Sequence, residues 1–265
     1  MSGGPAAAPD RAALVKGGLL LAFSGYFFYL PASHTLRNYT NPEFSWLVIL
    51  TAWLFLALGL AGVYQWAASH GSAIVSDHAH PAIARSVLAL VAVPLLLGIL
   101  VPASPLGATA RASNWGGATV AGAGSSGTPP AGPGSAPAAD GTGWTLVDWQ
   151  RAFQYKVYPD SYFTDKHADV IGFVSGGANL PADGLVIGRY VMRHCAADIY
   201  GVGLLVRSPG TPSLARGTWV RVQGTLRVAP VNGTLVLQLQ ATHVDATIGQ
   251  PAETYIYPQD FARFP

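Results

Sequence analysis

The fold is decided by residues 44–69, FSWLVILTAWLFLALGLAGVYQWAAS, which contain no Asp, Glu, Lys or Arg. A helix needs about 20 consecutive apolar residues to cross the hydrocarbon of a bilayer. Trp46 and Trp66 stand toward the two ends of the stretch, where aromatic side chains favour the membrane interface. The stretch therefore predicts a membrane-spanning helix.

Two further uncharged runs flank this stretch. Residues 17–36 centre on LLLAFSGYFFYL, with Tyr26 and Tyr29 near one end. Residues 86–110 centre on VLALVAVPLLLGIL, in which a membrane helix tolerates Pro94 when a neighbour satisfies the freed carbonyl. A cleaved signal peptide is the alternative for the first run, but the run is long and no clear small-residue cleavage site precedes the second apolar run. We expect residues 1–106 to form a domain of three transmembrane helices.

The charged residues are concentrated in the second half of the chain. Only 11% of the residues are charged, against about 25% in an average soluble protein. Seven of the 28 charged residues precede Arg111. The net charge of +2 is too small to indicate a nucleic-acid partner, which would need a clustered basic face. One cysteine excludes an intrachain disulfide framework and a cysteine-only metal cage.

The positive charges near the spans predict an orientation. Arg11 and Lys16 precede the first span, Arg37 follows it, and Arg85 precedes the third. Positively charged loops favour the cytoplasmic side of a membrane. We therefore expect a multi-pass cell-membrane protein with a cytoplasmic amino terminus and an extracytoplasmic carboxyl-terminal domain.

Residues 107–143 are nearly all Gly, Ala, Ser, Pro and Thr. Such a segment cannot bury enough apolar surface to offset the entropy of ordering its backbone. It predicts a flexible linker between the membrane domain and a soluble domain at residues 144–265.

The soluble domain begins with an amphipathic helical pattern and continues as alternating strands. Thr145 and Asp148 resemble a capping box at the start of the helix, with Leu146, Trp149, Ala152 and Phe153 on one face. Alternation predicts five strands, at residues 169–174, 185–192, 202–207, 218–228 and 234–247.

The turns and glycines suggest how these strands are joined. Asn232-Gly233 is a strong hairpin signal. Gly172, Gly188 and Gly224 lie inside strands, which is typical of bulges and tight barrel corners. The expected fold is a small OB-like β-barrel, with a small β-sandwich as the alternative.

The most unusual polar run is RYVMRHCAAD, residues 189–198. His194, Cys195 and Asp198 could supply mixed ligands to a divalent metal such as zinc, if a bulge or turn brings the first two together. Arg189 and Arg193 are four apart, so on one strand they would share a face and could bind an anion or simply be solvated. Spacing alone favours a structural interpretation, in which Cys195 is buried for packing and Asp198 caps a turn.

The loop between the second and third spans holds a second candidate metal site. Asp77, His78 and His80 have suitable donor atoms, although a solvated loop is the simpler interpretation. The sequence contains no P-loop, dinucleotide fingerprint, H-E-x-x-H or G-x-S-x-G motif, so it gives no positive support for an enzyme.

The order of these features resembles the YcgQ-like family of permease subunits, membrane proteins encoded beside a multi-span permease. The resemblance rests on several runs, whose order and spacing together carry it. They are residues 39–44 (YTNPEF), 94–102 (PLLLGILVP), 158–160 (YPD), 172–174 (GFV), 189–198, 219–225 (WVRVQGT) and 255–257 (YIY). In that family two adjacent cysteines usually precede Ala-Asp, whereas His194 takes the first position here. The change favours a metal role over dithiol chemistry.

The resemblance implies a non-enzymatic accessory subunit of a membrane permease. Its spans would dock on a multi-span permease through small residues such as Gly59 and Gly62. Its tethered domain would present the Cys195 region to solute or permease. One alternative is a membrane-anchored metal buffer or sensor, and another, by fold analogy alone, is an oligonucleotide- or oligosaccharide-binding barrel.

Overall fold

A computed structural model describes residues 11–69, 85–101, 104–105, 141–155, 159–175, 180–208 and 214–261. The chain divides into two compact units, Met1–Ser104 and Pro105–Pro265. We call them the helical unit and the β unit. Most of the predicted linker, residues 107–140, lies outside the described residues.

The helical unit contains α1 (Arg11–Ala32), α2 (Ser45–Ser69) and α3 (Arg85–Leu100). Within the residues that the structure describes, two segments are long and apolar enough to cross a membrane, Leu14–Ala32 and Pro42–Ala68. The third predicted span is represented by α3, whose 16 residues rise about 24 Å against a hydrocarbon core of about 30 Å. The first two predicted spans are therefore matched by helices of sufficient length, and the third by a shorter apolar helix.

Small residues let α1 and α2 approach closely. A Cβ on Gly59 would lie 2.8 Å from Cγ of Leu21 and 3.1 Å from the carbonyl oxygen of Gly17. Ser24 Oγ donates to the carbonyl oxygen of Ala52 at 2.9 Å. Gly59, which the sequence suggested as a contact for another subunit, is thus used inside the chain.

In its described residues, the β unit combines two α-helices with a six-stranded mixed sheet. The helices are α4 (Leu146–Tyr155) and α5 (Pro159–Phe163). The strands are β1 (His167–Val174), β2 (Gly184–Val191), β3 (Tyr200–Arg207), β4 (Trp219–Val231), β5 (Thr234–Asp245) and β6 (Tyr255–Ile256). The five predicted strands are all present, while α5 and the two-residue β6 were not predicted.

The strands are hydrogen-bonded in the order β1-β4-β5-β3-β2-β6, and β1 also pairs with β2. The β3–β5 and β2–β6 pairs are parallel, and the other pairs are antiparallel. Gly224 lies at a shift of register between β4 and β5, as expected for a strand glycine. Asn232 and Gly233 both have positive φ, which a two-residue type I′ hairpin requires.

Helix α4 is almost entirely enclosed. The predicted cap is confirmed, because the Asp148 carboxylate accepts from the backbone N–H and the hydroxyl of Thr145 at 2.9 and 2.7 Å. The predicted amphipathic helix is present, and every residue from Leu146 to Phe153 is buried, so its polar face is enclosed as well. Gln150 Nε2 donates to the carbonyl oxygen of Gly203 in β3 at 2.7 Å, which fixes the helix against the sheet.

Candidate functional site

The predicted site run forms the connection from β2 to β3. Strand β2 ends at Val191, and a 3-10 turn at Ala196–Asp198 precedes β3. One carboxylate organises the connection, since Asp198 accepts from the backbone N–H groups of Arg193, His194 and Cys195 at 2.9–3.3 Å. The predicted capping role of Asp198 is therefore confirmed.

The His194 side chain is a further hydrogen-bond partner of the Asp198 carboxylate. Its Nδ1 lies 2.7 Å from Asp198 Oδ2, with 70% of the histidine side chain exposed. Burial would raise the pKa of Asp198, but the hydrogen bonds from the His194 ring and the three N–H groups outweigh it and hold the pKa below its usual range. At neutral pH the aspartate is therefore a carboxylate that stabilises the turn.

Cys195 is a free and exposed thiol. The favoured interpretation, in which Cys195 is buried for packing, is therefore wrong. His194 and Asp198 contact each other, but no three His, Cys, Asp or Glu residues cluster as metal ligands in the described part of the chain. Asp77, His78 and His80 lie outside the described residues. Metal binding at either place stays a prediction.

Arg189 and Arg193 do not share a strand face, because β2 ends between them. Arg189 is 7% exposed, lies over the Trp219 ring at 5.2 Å and donates from Nη2 to the carbonyl oxygen of Glu253 at 2.6 Å. Desolvation lowers its pKa to about 10, partly opposed by the charge of Glu253.

Arg193 has a different environment, since its guanidinium lies 5.1 Å from the centre of the Tyr200 ring. The expectation that both arginines project from one surface is therefore wrong. Whether either of them binds an anion stays a prediction.

The sequence did not predict a charged cluster on the outer face of β1 and β4. Arg221 donates to both carboxylate oxygens of Asp169 at 2.8 and 2.7 Å, and Gln223 donates at 2.9 Å. The hydrogen bond from Arg221, then that from Gln223, lowers the pKa of Asp169 against the opposing effect of burial. These residues come together only through the pairing of β1 with β4, so the spacing of residues within one strand does not predict the cluster.

The helical unit holds a cavity of about 480 Å³, which the sequence also did not predict. Its lining comes from α1, from the α1–α2 connection and from the end of α3. Tyr26 and Tyr29 are part of that lining, although the sequence placed them only in an interfacial belt. Their spacing of three on a helix was the available signal.

We expect Asp198→Ala to destabilise the β unit by about 1–2 kcal/mol, because three N–H groups lose one acceptor. Asp183→Ala is the matched control, since Asp183 pairs with Arg207 at 2.6 Å at the other end of the β2–β3 pair and is partly exposed. That ion pair contributes at most about 1 kcal/mol. Hydrogen-exchange mass spectrometry of the full-length chain measures both, and equal effects would contradict the role assigned to Asp198.

Acid is expected to weaken the β unit. The folded pKa values of Asp169 and Asp198 lie below their ordinary values, so both carboxylates stabilise the fold above the unfolded pKa of about 3.9. This contribution is lost as pH falls through the folded pKa values. Below about pH 4, the protection of β1 and of the β2–β3 connection, measured against the intrinsic amide exchange rate at the same pH, should fall, and it should fall less in an Asp169→Asn, Asp198→Asn variant. Equal acid sensitivity of the two proteins would contradict the assignment.

The two units define a class of protein: apolar helices of membrane-spanning length joined in one chain to a mixed β-sheet domain. The chain belongs to the DUF1980 family, whose N-terminal domain matches residues 15–115 and whose C-terminal domain matches residues 154–258. The resemblance to YcgQ-like permease subunits is thereby confirmed.

One relative comes from Streptococcus mutans serotype c and is named "Putative two-component membrane permease complex subunit". It is 26% identical to this chain over 286 residues, which cover 89% of this chain and 97% of the relative. The relative's name and the apolar helices together indicate a membrane location.

Proposed function

We propose that the protein is a non-enzymatic accessory subunit of a membrane permease complex, with its β unit tethered outside the cytoplasm. The observation that carries the proposal is the distribution of exposed apolar side chains. Among the described residues, Ile171 and Leu235 are the only large apolar side chains that the β unit exposes. The helical unit exposes such side chains along α1, α2 and α3, and lipid or another membrane protein can cover them.

We extend the proposal to α3 as a third span. Apart from Leu95, its large side chains between Val87 and Leu100 are exposed or only partly buried. Pro94 has no N–H, so the carbonyl oxygen four residues earlier has no helical donor. A neighbouring membrane protein can donate a hydrogen bond to this carbonyl oxygen and cover the exposed apolar side chains, whereas lipid alone offers no donor. With Arg11, Lys16 and Arg85 on the cytoplasmic side, three crossings place the β unit outside.

We also propose that the β unit is an OB-like barrel. The support is the cycle of pairings among the first five strands, β1-β2-β3-β5-β4 and back to β1. Gly172 contributes, because a Cβ there would lie 2.9 Å from the carbonyl oxygen of Gly188 on β2. Five strands paired in this way are typical of the OB fold.

We propose that the tether raises the local concentration of the β unit near the permease. A domain held by a linker meets its target at a high effective concentration without new contacts. The connection between β2 and β3 exposes His194 and Cys195, which makes it a candidate contact with solute or permease. Its carboxylate, Asp198, is occupied in holding the connection, in agreement with a binding rather than a catalytic role.

Co-purification tests the proposal. The full-length chain, tagged at its own locus and extracted in a mild detergent, should retain a multi-span membrane protein in a fixed ratio. An unrelated multi-span protein, tagged and expressed at the same level, should not retain it. A chain that elutes without a multi-span partner under conditions that preserve other membrane complexes would contradict the proposal.

Cys195 offers a native test of the orientation, since it is the single cysteine of the chain and is exposed. We expect a membrane-impermeant maleimide to label it in intact cells and to give no signal in Cys195→Ser. A cysteine at position 2 in the Cys195→Ser background should react only after permeabilisation. Labelling of Cys195 only after permeabilisation would refute the proposed orientation.

A further inference from the structure

The cavity in the helical unit is lined both by side chains with hydroxyl groups and by small or apolar side chains. Thr35 and Tyr39, from the α1–α2 connection, join Tyr26 and Tyr29 of α1 in the lining. Ala22 and Gly25 line it farther from the connection, and Ile99 of α3 contributes an apolar wall. Leu30 adds a further apolar side chain, so the lining combines hydroxyl groups with apolar surface, and the volume of about 480 Å³ is typical of small-molecule sites.

The phenol groups are available to a ligand. The Thr35 hydroxyl already contacts Ser33 Oγ at 2.7 Å. The phenol end of Tyr26 lies beside Gly98 of α3, and Tyr29 and Tyr39 are 59% and 38% exposed, so a ligand can reach these rings. Three phenol groups around one cavity favour a ligand that carries a hydrogen-bond acceptor.

Glycines shape the walls of the cavity. A Cβ on Gly98 would lie 2.7 Å from Cζ of Tyr26, so only glycine lets this ring lie against α3. A Cβ on Gly25 would meet no atom within 4 Å, which leaves that wall open. None of the side chains that line the cavity is ionisable at neutral pH. A charged ligand would therefore be desolvated without a counterion.

We propose that this cavity binds an uncharged amphiphile, with a hydroxyl or carbonyl group at the tyrosine hydroxyls and an apolar chain or ring against Ala22, Gly25 and Leu30. The ligand is either a neutral membrane lipid or a neutral solute, and both present the same chemistry to the cavity. The inference goes beyond the permease role and does not depend on it. The cavity lies within the chain itself, so loss of the permease partner leaves the binding test intact.

Photolabelling of the full-length protein in nanodiscs tests the proposal. The probe is a long-chain alcohol that carries a diazirine, and the charge control is the fatty acid with the same chain. We expect saturable labelling of peptides that contain Tyr26, Tyr29 or Tyr39, competed by excess unlabelled alcohol. The acid should label these peptides roughly tenfold less, because its carboxylate has no counterion there. Competition by diacylglycerol in the bilayer indicates a lipid source, and competition only by a short water-soluble alcohol indicates a solute.

Matched variants distinguish labelling inside the cavity from labelling by probe in the bulk lipid. Gly25→Leu should fill the cavity and reduce the saturable labelling at least fivefold, whereas Gly18→Leu, on the same helix and also in open space, should not. Tyr39→Phe keeps the ring and should weaken labelling by roughly fivefold, the effect of one lost hydrogen bond. Non-saturable labelling that is equal in all variants, or equal labelling by the alcohol and the acid, would overturn the proposal.

Discussion

In Gly224→Ala, we expect the β unit to lose roughly 3 kcal/mol of stability, the upper end of the range for overpacking a folded interior. A Cβ at this position would lie 2.8 Å from the carbonyl carbon of Gln240 and 3.0 Å from Cα of Ala241. Both are backbone atoms of β5, so neither can rotate away. The strands must therefore separate at the bulge where β4 and β5 change register.

Hydrogen-exchange mass spectrometry of the full-length chain under increasing denaturant measures this loss in peptides from β4 and β5. Gly249→Ala is the control, because a Cβ at Gly249 meets no atom within 4 Å and should change stability by less than about 0.5 kcal/mol. If the β4 and β5 peptides of both variants lose protection at the same denaturant concentration as the wild type, the two strands do not approach as closely as described.

In the helical unit, Gly59→Leu is expected to separate α1 from α2 at a cost of roughly 2 kcal/mol or more. Leu21 and the Gly17 carbonyl already occupy the space around the position of its Cβ. Ser24 and Ala52 report the separation, since their hydrogen bond joins the two helices. A Ser24→Cys, Ala52→Cys pair in a Cys195→Ser background should form a disulfide on oxidation in membranes.

The Gly59→Leu change should abolish this cross-link, and Gly18→Leu should preserve it. A cross-link of equal yield in all three backgrounds would show that Gly59 does not set the approach of the helices. The result also bears on the permease, because a separated α1–α2 pair would present a different surface to any partner.

Local patterns along the chain predict the elements of this fold well. The uncharged runs locate α1–α3, because a long apolar run without charged residues is typical of a membrane helix. Alternation and Asn232-Gly233 locate the strands and one hairpin, since both signals depend on neighbouring residues alone. The parallel β3–β5 pair and the short β6 depend on residues far apart in the chain, so no local pattern predicts them.

The candidate site is harder to predict for the same reason. Cys195 was expected to be buried, but β2 ends at Val191 and the residues that follow leave the sheet. Asp198 was predicted as a cap from its position before β3, and the structure confirms this, because capping is a local interaction. The contacts of Arg189 with Trp219 and Glu253, and the clustering of the three tyrosines, arise from packing between distant segments.

We expect the apolar faces of α1–α3 to be embedded in a bilayer, and the proposed role of the protein requires this. Alkaline carbonate washing of membranes that contain the full-length protein measures this directly. We predict that the chain stays in the membrane pellet and leaves it only when detergent is added. A chain released into the aqueous supernatant as a monodisperse species without detergent would contradict the claim, and with it the permease role and the amphiphile site.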